Sequence, residues 1–199
     1  MLSRVLATLV LSSWSAGLLA GPTLCATADQ AAKVREAYAT PPAAPTFMAA
    51  SKLALPEAVV LSALAGQGAT GTTGAGFEKV WASLQGWDDA TVVLLKGANV
   101  VEIRGRIPPG EPSTKSQFFN LKQDGVGLGG HFRPDLMGAI YAVELVGAQG
   151  PLRGVTIVDL AGESLFGVYL PEGAGEKPGL AAAFVRTREL IAGLAKVCP

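Results

Sequence analysis

Short apolar segments separated by glycine-centred turns fill residues 91–170, and they restrict the chain to an antiparallel sheet. Residues 91–96 and 99–104 flank Gly97-Ala98. Residues 117–122 lead through Asp124-Gly125 into 127–132, and 139–146 form a long apolar run. Residues 155–160 and 164–170 close around Ala161-Gly162-Glu163. Turns this short join strands that reverse direction, whereas parallel strands need crossovers of a dozen residues or more. The alternating strand–helix rhythm of a nucleotide-binding fold is absent.

Helical spacing appears on both sides of this block. Phe77, Val80, Trp81 and Leu84 mark a short amphipathic helix just before it, and Leu180, Phe184, Ile191 and Leu194 mark one across 180–197. Upstream, 29–39 reads as a polar helix ended by the proline-rich 40–45. Residues 47–64 carry a two-helix pattern broken near Leu55-Pro56, with Pro56 in the first turn of the second helix. Met48, Ala49, Leu53, Val59, Val60 and Leu64 supply its apolar faces. The expected class is therefore α+β: an antiparallel meander with flanking helices, preceded by a small N-terminal helical region. The expected division is a signal segment at 1–28 (or an anchor), helices at 29–65, a Gly/Thr linker at 66–76 and the main domain at 77–199. The loops at 108–113 and 172–179 are expected on the surface.

The N-terminus reads as a secretory leader. Arg4 supplies its positive start, residues 5–11 its apolar stretch, no charge follows before Asp29, and Ala26-Thr27-Ala28 offers a cleavage site. This predicts export, to the periplasm. Lipidation at Cys25 fits poorly, because Leu24 stands where a small residue is required. Cleavage after Ala28 leaves Cys198 as the single cysteine, with no intrachain partner.

Several function classes drop out. Sixteen basic and sixteen acidic residues leave no surplus of cations for a nucleic-acid partner. The helix pair at 47–64 resembles a helix-turn-helix unit, but Lys52 is its only basic residue. Gly66-Gln-Gly-Ala-Thr-Gly71 has dinucleotide-fingerprint spacing yet follows a helix, and the similar Gly125-Val-Gly-Leu-Gly-Gly130 runs into His131-Phe132-Arg133-Pro134-Asp135, which opens no long helix. A single histidine with no nucleophile motif beside it makes no hydrolytic triad, and no His/Cys cluster suggests zinc.

That histidine, His131, is the main candidate for chemistry. Phe77-Glu-Lys-Val-Trp81, Phe118-Phe-Asn-Leu121 and Gly127-Leu-Gly-Gly-His-Phe132, in this order, resemble the HutX/ChuX/HuvX family of bacterial haem-utilisation carriers. The resemblance implies an antiparallel fold related to the larger HemS/ChuS proteins, a homodimer, binding of b-type haem and its transfer to a haem-degrading or haem-receiving partner. Position in the Gly-His block makes His131 the implied iron ligand or haem contact. Phe118, Phe119, Leu128, Phe132 and Met137 are candidate apolar contacts; Arg104, Lys122 and Arg133 are candidate propionate partners.

Two features depart from the family. The strand at 91–96, where some members keep a second histidine, has Leu94-Leu95-Lys96, so a second axial ligand, if one exists, is Tyr141, Tyr169, Met137, another group or water. Family members are cytoplasmic, which is the alternative location if translation starts further downstream. Haem degradation and a haem-free interaction module stand as the competing readings.

Overall fold

The computed structural model describes residues 24–97, 99–122, 127–172 and 177–198. Most of the leader, part of the Asp124-Gly125 turn region and the tip of the 172–179 loop lie outside the described residues.

Local chemistry sets the first helices. Helix α1 (Ala28–Ala37) begins with a capping box: the Thr27 hydroxyl accepts from the Gln30 amide, and the Gln30 side-chain oxygen accepts from the Thr27 amide. Helix α2 (Thr46–Leu53) ends at Ala54, whose left-handed φ of 52° turns the chain. Pro56 then caps α3 (Glu57–Ala63) from just outside its first turn. Helix α3 is buried nearly all round, through Ala58, Val59, Val60, Leu61 and Ala63. Met48, expected on the apolar face, is instead 53% exposed, because the face that α2 buries carries Thr46, Ala49 and Ala50. Among the described residues no single helix is long and apolar enough to cross a membrane.

The sheet has six antiparallel strands in the order β1-β7-β8-β9-β2-β3. They are β1 (Ala69–Thr73), β2 (Ala90–Lys96), β3 (Asn99–Gly105), β7 (Met137–Val146), β8 (Pro151–Asp159) and β9 (Ser164–Tyr169). Strands β7, β8 and β9 form the expected meander, and β2 and β3 the expected hairpin. A second, three-stranded sheet holds β4 (Gly110–Pro112), β5 (Phe119–Leu121) and β6 (His131–Phe132). The expected strand at 127–132 thus shrinks to its last two residues.

Alternation along the strands divides the core in two. Ile140, Ala142, Val155, Ile157, Phe166 and Val168 face helices α4 (Phe77–Leu84) and α5 (Pro178–Ala192) and the small sheet. Ala139, Tyr141, Val143 and Val158 face α1 to α3. The N-terminal helices are therefore one layer of a common core.

Three expectations are corrected here. Residues 66–76 are not a linker: β1 pairs with β7 from Ala69↔Val143 to Thr73↔Ala139, and a short 3₁₀ turn at Gly74–Gly76 leads into α4. Gly71 serves close approach rather than flexibility, since a Cβ there would run into the Tyr141 ring. Residues 108–113 are not simply a surface loop, for Pro108 is buried, its carbonyl accepts from Trp81 Nε1 at 3.0 Å, and β4 follows directly. Finally, Cys198 is not alone: it forms a disulfide with Cys25 across 173 residues of sequence.

Candidate functional site

The small sheet positions His131. Its register pairs Asn120 with His131 and Phe119 with Phe132. Because successive side chains alternate, His131 and Asn120 point outward while Phe119 is buried and Phe132 half-buried on the other face. Phe132 stacks on Phe166 at 4.7 Å between centroids and meets Trp81 at 5.3 Å; Phe119 packs edge-on against Phe77 at 5.3 Å. This aromatic cluster fixes the inner face of the small sheet, and so fixes which way His131 looks.

On the outer face His131 is exposed, with Nδ1 2.8 Å from Asn120 Oδ1. An amide oxygen only accepts, so this pairing requires a proton on Nδ1, and in the neutral tautomer that donates it Nε2 presents a lone pair. That is the arrangement metal-binding histidines use, with the second nitrogen held by a fixed acceptor. Phe118, 41% exposed, lies edge-to-face with the imidazole at 6.0 Å. The Arg133 guanidinium sits 5.7 Å over the Phe118 ring, donates to both carboxylate oxygens of Asp135 and reaches Gln117 Oε1 at 2.7 Å. Those hydrogen bonds from Arg133 hold the Asp135 carboxyl below its ordinary range.

The six proposed site residues thus separate. His131, Phe118 and Arg133 share one exposed face. Phe132 and Met137 pack in the core beside α4 and α5, and Tyr141 is buried against the N-terminal helices with no partner for its hydroxyl among the described residues. Of the other propionate candidates, Arg104 is forked onto Asp89 at 2.9 and 3.0 Å, and Lys122 is paired with Glu111 at 2.6 Å. Both border a cavity of about 210 Å³ that also includes Leu128, too small for a large planar ligand. Tyr169, the remaining candidate ligand, is hydrogen-bonded to Thr156 at 3.1 Å.

Asn120, Gln117 and Asp135 are the residues that sequence reasoning missed. The alternation Phe118-Phe119-Asn120-Leu121 carried the signal for Asn120, since it shares the strand face of Phe118.

Residues 70–186 match the Haem utilisation ChuX/HutX family. The chain belongs to this family. As a ChuX/HutX member it shares its fold with the haem-binding protein ChuX, at 17% identity and a TM-score of 0.67, with 80% of this chain and 97% of that one covered. Holo-PhuS, a haem-binding protein from Pseudomonas aeruginosa, is similar at 17% identity and a TM-score of 0.63, covering 86% of this chain and 48% of its own. ChuS, an E. coli haem oxygenase, is similar at 13% identity and a TM-score of 0.63, covering 83% and 49%. The ChuX/HutX unit is therefore about half the length of PhuS and ChuS. Among curated proteins no relative matches the chain. At these identities the solved structures establish the fold, and the family places the chain in haem utilisation.

Proposed function

We propose that this protein is a haem carrier whose His131 meets the iron through Nε2 and which hands haem to a receiving or degrading partner. The observation that carries this reading is the exposed imidazole with its Nδ1 held by Asn120. Around it the face supplies an aromatic surface in Phe118, with the Arg133 guanidinium over that ring and forked onto Asp135, so a propionate would have to share Arg133 with that carboxylate. Haem held this way is b-type. Covalent attachment requires cysteine thiols, and Cys25 and Cys198 are bound to each other.

An open site favours carriage over turnover, because a cargo held on a surface leaves without the chain opening, whereas oxygen chemistry is served by a closed, water-excluding cavity. One face of one chain covers one face of the ring. PhuS and ChuS, of twice the length, are matched over about half their residues. Both observations support a homodimer in which a second copy supplies the other side. The leader-like N-terminus supports export to the periplasm.

The test is a titration of the purified protein with hemin, followed at the Soret band, beside His131→Ala. The expected result is a red-shifted, saturable band in the wild type and at least a tenfold loss of affinity in the variant. Identical spectra and affinity would remove His131 as ligand, and no binding by either would leave an interaction module. Adding reductant and oxygen to the loaded protein is expected to leave the haem intact; catalytic loss with release of an open tetrapyrrole would make it an enzyme.

A further inference from the structure

We propose that the Cys25–Cys198 disulfide is a clasp formed after export, and that the leader is removed upstream of Leu24 rather than after Ala28. The proposal rests on the export reading above. Cleavage after Ala28 would discard Cys25 together with the Thr27 cap of α1. It would also discard residues that are built into the core. The Leu24 side chain lies against Gly138 and Gly162, at the start of β7 and at the β8–β9 turn. Leu24 and Ala26 both pack on the cluster under α1 to α3, and the Ala26 amide donates to Ser62 Oγ at 2.8 Å. A segment held by a cap, a backbone hydrogen bond and apolar contacts belongs to the mature fold.

The other end of the chain is docked independently. The Ala195 carbonyl accepts from the Thr72 hydroxyl at 2.7 Å and from the Thr73 amide at 3.2 Å, which lays the tail along β1. Val197 joins the same apolar cluster as Leu24. Both termini are thus brought together by contacts other than the bond, with the cysteine Cα atoms 5.8 Å apart, within the span a disulfide bridges. Each thiol then gives up one proton and one electron as the S–S bond forms. An oxidising protein disulfide of the receiving compartment takes up both electrons and both protons and becomes a dithiol. Such bonds persist outside the reducing cytoplasm. The same sulfur cannot carry a lipid, so the clasp also excludes anchoring through Cys25. Between the apolar stretch and Leu24, Ser15-Ala16-Gly17 has the small–x–small spacing a leader peptidase reads.

The experiment expresses the full chain in a bacterial host, separates the cell fractions, and blocks free thiols before any reductant is added. Intact mass and N-terminal sequencing follow. The expected product is periplasmic, begins upstream of Leu24, and takes two alkyl labels only after reduction. A start at Asp29, a thiol labelled without reduction, or a diacylglycerol mass on Cys25 would each overturn the clasp while leaving export standing. An intact Met1 in the cytoplasmic fraction with both thiols free would sink the export reading, and the clasp with it. A second measurement avoids dependence on variant folding: reduction of the purified wild-type protein is expected to lower Tm by roughly 10 °C, as for a bond closing a very long loop. An unchanged Tm would overturn the clasp as a structural element.

Discussion

His131 and Asn120 face each other only because Phe119 and Phe132 are locked into the aromatic cluster on the reverse of the same two strands. A slip of one residue would bury the imidazole and expose Phe132. Removing the acceptor while keeping the ligand should therefore weaken binding through orientation. Asn120→Ala is expected to reduce hemin affinity by about tenfold, the lower end of what second partners of metal-binding histidines contribute. A Soret titration checks this, and an unchanged affinity would mean that Asn120 does not orient the imidazole. A second residue, outside the site, governs pH behaviour. Glu57 is 2% exposed on α3 and accepts from the Thr46 hydroxyl at 2.5 Å. Burial pushes its carboxyl above the ordinary value, with hydrogen bonds from Thr46 and Ser164 opposing. The folded state thus binds this proton more tightly than the unfolded one. Its contribution to stability is full below the ordinary carboxylate pKa and is lost as pH rises through the raised one. Glu57→Gln keeps the Thr46 bond and removes the charge. Its Tm should exceed that of the wild type at pH 7 and converge with it near about pH 4. Equal Tm values at both pH values would contradict this account.

At the scale of elements, the legible parts were those with a clean period. Phe77, Val80, Trp81 and Leu84 defined α4 to the residue, because a four-residue stripe at helical spacing has one way to be buried. The hairpin around Gly97 and the meander of β7 to β9 followed from short turns between apolar runs. Strands β1 and β4 were illegible for the opposite reason. Gly, Thr and Pro dominate them, and their strand character comes from an edge partner rather than from propensity: Val143 to Ala139 for β1, and Leu121 to Phe119 for β4. The small sheet is joined to the helical layer by the hydrogen bond from Trp81 Nε1 to the buried Pro108 carbonyl. Trp81→Phe leaves that carbonyl without its donor and is expected to cost about 1–3 kcal/mol in equilibrium urea unfolding. A cost near zero would mean that the carbonyl finds water, and that β4 is held by its pairing with β5 alone.

For the whole molecule, the exposed site and the half-length match to PhuS and ChuS lead to one measurable expectation. Sedimentation of the purified protein should give a dimer that dissociates on dilution, with one haem bound per pair of facing sites or one per chain. A monomer at all concentrations that still bound haem tightly would show that one chain suffices. Reading residues in order was enough to obtain the antiparallel α+β class and the helices, since period and turn chemistry are properties of neighbouring residues, whereas His131 was singled out only by the resemblance of its Gly-His block to a family motif. Other features depended on residues far apart in the chain. These were the pairing of Cys25 with Cys198, the strand hidden in a glycine-rich stretch, the packing of Phe132, Met137 and Tyr141 away from the exposed face of His131, and the Asn120 partner of His131. Burial, register and covalent pairing are fixed by which distant segment lies alongside. That is settled only when the two faces of the sheet are covered, one by the N-terminal helices and the other by the aromatic cluster.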